Sequence, residues 1–221
     1  MIREKLIIGD KLKRYTFFTY YDRDNTYRIT QCIANTIEDA EQKFVDLINL
    51  PYIKTAGKKE WHLSIENNWW KPLKVNKYKD IWAVDFIIRN NFIMSFVKIS
   101  DIPDVSCKKL CLFTFALGCI EGGPFIIQCE ASSLEKAISI WIKRIPYQKY
   151  LSKDFRINLK TTISKKYNVT ELSEMKKAYK IDWEGCESTL FVIKDSLSDH
   201  GVGSTDHFEI DQPTHWSTYS R

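Results

Sequence analysis

Four histidines and six cysteines are the side chains of this 221-residue sequence best suited to hold a metal or act as nucleophiles. His200, His207 and His215 stand near the C-terminus among Asp199, Asp206, Glu209 and Asp211. Imidazoles and carboxylates are donors that zinc takes, but spacings of seven and eight residues fit neither a zinc signature nor one helix face. The segment reads as an exposed polar tail, in which a weak metal site would draw on Asp199, His200, Asp206 and His207. His62 stands alone beside Trp61. Cys32, Cys107, Cys111, Cys119, Cys129 and Cys186 are too scattered for a disulfide framework in a chain this long, and Cys107 and Cys111 lack a second pair at zinc spacing. They read as reduced, mostly buried thiols. Gly118, Gly122 and Gly123 form no phosphate-binding fingerprint and are the glycines of a hairpin turn. No nucleophile, base and orienting partner assemble, and no two carboxylates can be set opposite each other. Neither an enzyme nor a cofactor is expected.

Lysines and aromatics offer a different chemistry. Residues 51–80 hold seven lysines against three acids, interleaved with Tyr52, Trp61, Trp69, Trp70 and Tyr78. Residues 148–180 hold nine basic residues against three acids, with Tyr150, Phe155, Tyr167 and Tyr179. Cations neutralise phosphates, and exposed aromatics stack on bases. A solvated connector over a Trp-rich core accounts for the same composition. The scarcity of Arg favours that account, since Arg leads specific base recognition. Trp69 and Trp70 are adjacent, so in a strand one ring would point to each face. The outer ring would suit a protein interface, where Trp concentrates at hot spots, or a second core layer.

The elements that carry these residues come in two copies. A shift of 97 residues aligns Ile29–Ile48 with Ile126–Ile145, with identities at Ile29/Ile126, Gln31/Gln128, Cys32/Cys129, Ala34/Ala131, Glu38/Glu135, Ala40/Ala137 and Ile48/Ile145. Phe18 and Phe115 keep the same offset upstream. Asn35 and Ser132 are placed as N-caps, each with a glutamate three residues on in capping-box spacing. Ile37, Ala40, Phe44, Leu47 and Ile48 then share a helix face, as do Leu134, Ala137, Ile138, Trp141 and Ile145. Pro51 and Pro146 close the two helices.

Strand-like runs precede each helix, Tyr15–Tyr21 with Tyr27–Ile33 and Leu112–Leu117 with Phe125–Ala131. Ile81–Ile88 and Phe92–Ile99 pair around Asn90-Asn91 in the first copy, and Tyr179–Trp183 with Thr189–Ile193 in the second. Asn168 and Glu171 suggest a further capping box, with Leu172, Met175 and Tyr179 in helical period behind it. The expected fold is α+β, a tandem repeat of two ββα-ββ units, each a small antiparallel sheet with a helix on one face. The expected units are residues 1–106 and 107–195, with an irregular tail at 196–221.

Composition narrows the function class. Hydrophobic residues make up 44% of the chain, which excludes a disordered segment. No run of about 18 apolar residues could span a bilayer, so no membrane partner is expected. The charged start Met1-Ile-Arg-Glu-Lys is unlike a signal peptide, and a cytoplasmic protein is expected. The net charge of +5 divides into +3 for residues 1–106 and +2 for residues 107–221, so charge alone does not argue for nucleic acid. The reading is a non-enzymatic protein-binding module, of the kind of a bacterial immunity or inhibitor protein that occludes a partner. Trp61, Trp69, Trp70, Lys71 and Lys74 are its candidate contacts. The alternative is a nucleic-acid-binding protein using Lys58, Lys59, Lys77, Lys165, Lys166, Lys176 and Lys177.

Overall fold

The computed structural model describes residues 12–67, 69, 71–76, 78–88, 91–102, 110–119, 122–145, 151–184 and 188–196. The first unit runs β1 (Lys13–Tyr21), β2 (Thr26–Ala34), α1 (Ile37–Leu47), α2 (Thr55–Glu66), β3 (Leu73–Lys74), β4 (Ile81–Ile88) and β5 (Asn91–Asp101). The second repeats that order as β6 (Cys111–Cys119), β7 (Gly122–Ala131), α3 (Leu134–Arg144), α4 (Lys153–Lys165), β8 (Asn168–Glu171), β9 (Ala178–Asp182) and β10 (Thr189–Ser196). Each unit forms one five-stranded antiparallel sheet, ordered β2-β1-β5-β4-β3 and β7-β6-β10-β9-β8. The fold is therefore α+β with two similar units in tandem, each sheet packed with helices.

Strand alternation assigns the two faces of each sheet. Tyr15, Phe17 and Tyr21 of β1 face α1 and α2 together with Val84, Phe86, Ile93 and Val97. Phe113, Phe115 and Leu117 of β6 face α3 and α4 together with Leu190 and Val192. The opposite faces meet each other. Phe18, Ile81, Ala83 and Phe96 of the first sheet share a buried cluster with Ala116, Ile126, Ala178, Phe191 and Ile193 of the second. The layers are helix, sheet, sheet, helix, and each sheet buries apolar residues on both faces.

The pairing registers correct several expectations. The repeat holds at an offset of 97 in β2 and β7, but Thr16 pairs with Gln31 while Thr114 pairs with Gln128, so β1 and β6 correspond at 98. Phe17 is thus the counterpart of Phe115. Phe18 corresponds to Ala116, and both lie between the sheets. The apparent match of Phe18 with Phe115 joined residues on opposite faces, because the first hairpin is one residue longer. The helix caps sit one residue beyond Asn35 and Ser132: the Thr36 hydroxyl accepts from the Asp39 amide, and the Ser133 hydroxyl from the Lys136 amide. In α1 the Asp39 carboxylate reaches back past the cap and accepts from the Asn35 amide.

Residues 168–179 form no helix. β-branched Val169 and Thr170 sit in β8, paired with β9. Leu172 and Met175 share an apolar side because a tight turn, closed by the Met175 amide on the Leu172 carbonyl, brings them together. The second helix of each unit is instead α2 or α4, which the lysine-rich composition concealed as a connector. Trp61 and Ile65 anchor α2, and Leu159 and Ile163 occupy the corresponding places in α4 at an offset of 98. Gly118 lies in β6 rather than in a turn. A Cβ there would come within 2.4 Å of the Tyr27 ring of β2, so glycine lets the two units approach. The Asn90-Asn91 turn falls partly outside the described residues, as do Pro146 and residues 197–221.

Polar contacts between the units are reciprocal. Gln128 Oε1 accepts from the Lys79 amide at 2.8 Å, and its Nε2 donates to the Lys79 carbonyl and to Thr114 Oγ1, both at 3.0 Å. Gln31 does the same with the other unit: Oε1 accepts from the Lys176 amide at 3.0 Å, and Nε2 donates to the Lys176 carbonyl at 3.3 Å and to Thr16 Oγ1 at 3.0 Å. Lys79 and Lys176 are equivalent, and each precedes a residue in the left-handed region, Asp80 and Lys177, both at φ 54°. Equivalent residues making reciprocal contacts define a pseudo-two-fold relation between the units. Near it, Lys98, only 2% exposed, pairs with Asp195 of the other sheet at 3.1 Å and donates to the Ile99 carbonyl.

Removing a buried amide strands the donor and acceptor it satisfied, at about 1–3 kcal/mol each. Gln128 is buried and Gln31 half-buried. Gln128→Ala is expected to cost about 2–4 kcal/mol and Gln31→Ala about 1–2 kcal/mol in urea unfolding.

Candidate functional surface

The expected contact residues separate into different environments. Trp61 is fully buried between Phe44, edge to face at 5.7 Å, and Phe86 at 4.6 Å, so its ring is out of reach of any partner. Trp69 is 64% exposed. It sits in a bend after α2 rather than in a strand, its amide bonded to the Ser64 carbonyl. Lys71 and Lys74 are exposed, as are Leu63 before the bend and Leu73 after it. Trp70 and Lys77 lie outside the described residues. The residues of the alternative reading are also dispersed. Lys58 and Lys59 lie on α2, with Lys58 Nζ donating to the Asp46 carbonyl at 2.8 Å. Lys165 and Lys166 are exposed at the end of α4. The Lys176 and Lys177 backbone forms the turn that docks on Gln31.

The two helical layers diverge in charge. α1 and α2 carry three Lys and Arg against six Asp and Glu, whereas α3 and α4 carry seven against two. In the first unit a polar bracket joins the helices. His62 Nε2 meets Asp46 Oδ1 at 3.0 Å, His62 Nδ1 meets Gln42 Oε1, and Lys58 reaches the end of α1. In the second unit the corresponding residues are Lys160 for His62, Lys143 for Asp46, Ser139 for Gln42 and Arg156 for Lys58. The sequence totals of +3 and +2 for the two halves hid this contrast; counting charge helix by helix discloses it.

Two groups with nucleophilic or acid–base potential are held neutral. Cys32 and Cys129 are equivalent, and each thiol donates to the carbonyl of the equivalent alanine, Ala40 at 3.6 Å or Ala137 at 3.8 Å. Burial pushes the Cys32 thiol up to about 11 and Cys129 up to about 12. A thiolate is the reactive form, so these cysteines act as packing residues. Glu41 of α1 is buried, and its Oε1 has no hydrogen-bond partner among the described residues. Burial, then the neighbouring Glu38 charge, raises its carboxyl to about 8. Among the described residues no three His, Cys, Asp or Glu side chains group to hold a metal, and no helix is long and apolar enough to cross a membrane. The tail positions Asp199, His200, Asp206 and His207 lie outside the described residues.

Alkylation of native Cys32 at pH 8 is expected to be about a hundredfold slower than that of a free cysteine, since two pH units separate their thiols. Iodoacetamide labelling followed by mass spectrometry measures this. Glu41 is an acid whose folded value lies above its ordinary one of 4.5. Folding therefore opposes ionisation, and the penalty is absent below about pH 4.5, grows as pH rises, and is complete above about pH 8. Glu41→Gln is expected to stabilise the protein on the order of 3–5 kcal/mol at pH 8.5 and little at pH 4.5, read from urea unfolding at the two values.

No protein-family model matches the chain, and neither a curated protein nor a solved structure matches it.

Proposed function

We propose that the protein is a non-enzymatic binding module that occludes a partner protein, as a bacterial immunity or inhibitor protein would. The observation that carries this reading is Trp69. An indole standing 64% exposed on a bend, with exposed Leu63 and Leu73 close in sequence, is out of place on an inert surface. Trp is the side chain most enriched at binding hot spots. Lys71 and Lys74 follow it in sequence, both exposed, and would form a cationic rim, so the partner surface is acidic around an apolar pocket. Occlusion needs a rigid surface rather than a reacting group, and the clamped sheets supply one. Cys32, Cys111 and Cys129 as free thiols suit the reducing cytoplasm.

Native pull-down with the tagged protein, with and without nuclease and at 0.5 M salt, tests the reading. A single stoichiometric protein is expected to survive nuclease and salt. Trp69→Ala should weaken its capture more than tenfold, a loss of about 1.4 kcal/mol or more. Equal capture by both forms, or loss on nuclease treatment, would refute the proposal.

A further inference from the structure

The outer face of the second helical layer belongs to a different unit from Trp69 and differs from it in chemistry. Lys153, Arg156, Ile157, Lys160, Thr161 and Ser164 line an open groove along one face of α4. Lys153, Arg156 and Lys160 follow one another at three and four residues, so they rise about 4.5 and 6 Å along the helix. Lys143 of α3 holds the position that corresponds to Asp46, and Lys160 the position of His62. Where the first unit closes its helix pair with a carboxylate against an imidazole, the second has a lysine at each of the two corresponding positions. Among the described residues none of Lys143, Lys153 and Lys160 has an ion-pair partner. An anion lying along them would meet charges of one sign that no carboxylate among the described residues neutralises.

We propose that this face binds a nucleic-acid strand through its phosphates, without reading sequence. The charge is repeated and of one sign, which suits a ligand with repeated charge. Thr161 and Ser164 add hydroxyl donors of the kind that contact phosphate oxygens. Ile157 is the sole large apolar side chain exposed among the described residues of α3 and α4. The face therefore lacks the aromatic anchors of a protein hot spot, and lysine is depleted in protein interfaces.

The test is fluorescence anisotropy of the full chain with fluorescein-labelled 20-mers of mixed sequence, as single-stranded DNA, RNA and duplex, between 50 and 200 mM salt. For a single strand the logarithm of affinity should fall with the logarithm of salt at a slope of about −2 to −3, for three or four neutralised phosphates. The triple variant Lys153→Ala, Arg156→Ala, Lys160→Ala should lose more than tenfold in affinity, and its slope should shift toward zero by about 2. Lys153→Glu at the exposed helix start, where an acid suits the helix dipole, gives a second variant that keeps the fold. It should weaken binding severalfold, while Lys54→Glu, the same charge change on the acidic layer, should alter it less than twofold. Absence of binding at 50 mM salt would overturn the proposal, as would equal loss from Lys54→Glu and Lys153→Glu. A polyglutamate peptide that binds the face while the oligonucleotides do not would also overturn it, in favour of an acidic protein segment.

Discussion

Two glutamine side chains hold the molecule in its register. Each lies on the inward face of one sheet and grips the backbone of a turn belonging to the other, both accepting from and donating to a single lysine residue's main chain. The turn offers that amide and carbonyl together because the next residue, Asp80 or Lys177, adopts a left-handed conformation. Around this fixed point the apolar residues of the two sheets form one shared buried cluster. The threonine bonded to each glutamine ties the clamp to the neighbouring strand. Buried amides satisfied on both sides specify a geometry that apolar contact alone would leave free to slide.

The two helix–sheet cores reach similar packing by different residues. Phe44 of α1 stacks on Phe17 and abuts Trp61 of α2. At the matching places the second unit has Trp141 on α3, stacked with Phe115, and Leu159 on α4. The large indole sits on the second helix of one unit and on the first helix of the other, and in each the partner helix supplies the smaller side chain, Phe44 or Leu159. The thiol of Cys32 or Cys129 packs beneath the helix in both and donates to the carbonyl of the equivalent alanine.

Much of this was legible in the sequence, and the failures are instructive. The identities at Gln31/Gln128, Cys32/Cys129 and Ala40/Ala137 marked the repeat, and they prove to be the clamp, the thiol and its acceptor. Period and caps located α1 and α3 because both helices are amphipathic around a single core. α2 and α4 escaped notice because each presents only two or three apolar anchors among lysines. The spacing of Asn168 and Glu171 imitated a cap because a tight turn can align Leu172 and Met175 as a helix does. Local pattern could not weigh the sheet partner that makes residues 168–171 a strand. Trp61 and Trp69 looked alike as candidates for binding. One lies in a core and the other in solvent, a distinction set by α2, which holds Trp61 and ends before Trp69, and which composition did not reveal.

A symmetric dimer must carry every substitution twice, on both outer surfaces. Joining the units in one chain removes that constraint. Acid predominates on one outer helical layer and base on the other, with the two sheets lying between. The helical layers by themselves carry a net −3 on one side and +5 on the other, a separation of charge across the two sheets. Such a body feels a torque in the field of any charged surface, and it turns before it touches. Encounters are therefore biased toward one orientation at a distance of about a Debye length, roughly 8 Å at physiological ionic strength. Which side arrives first is settled by the sign of what it approaches.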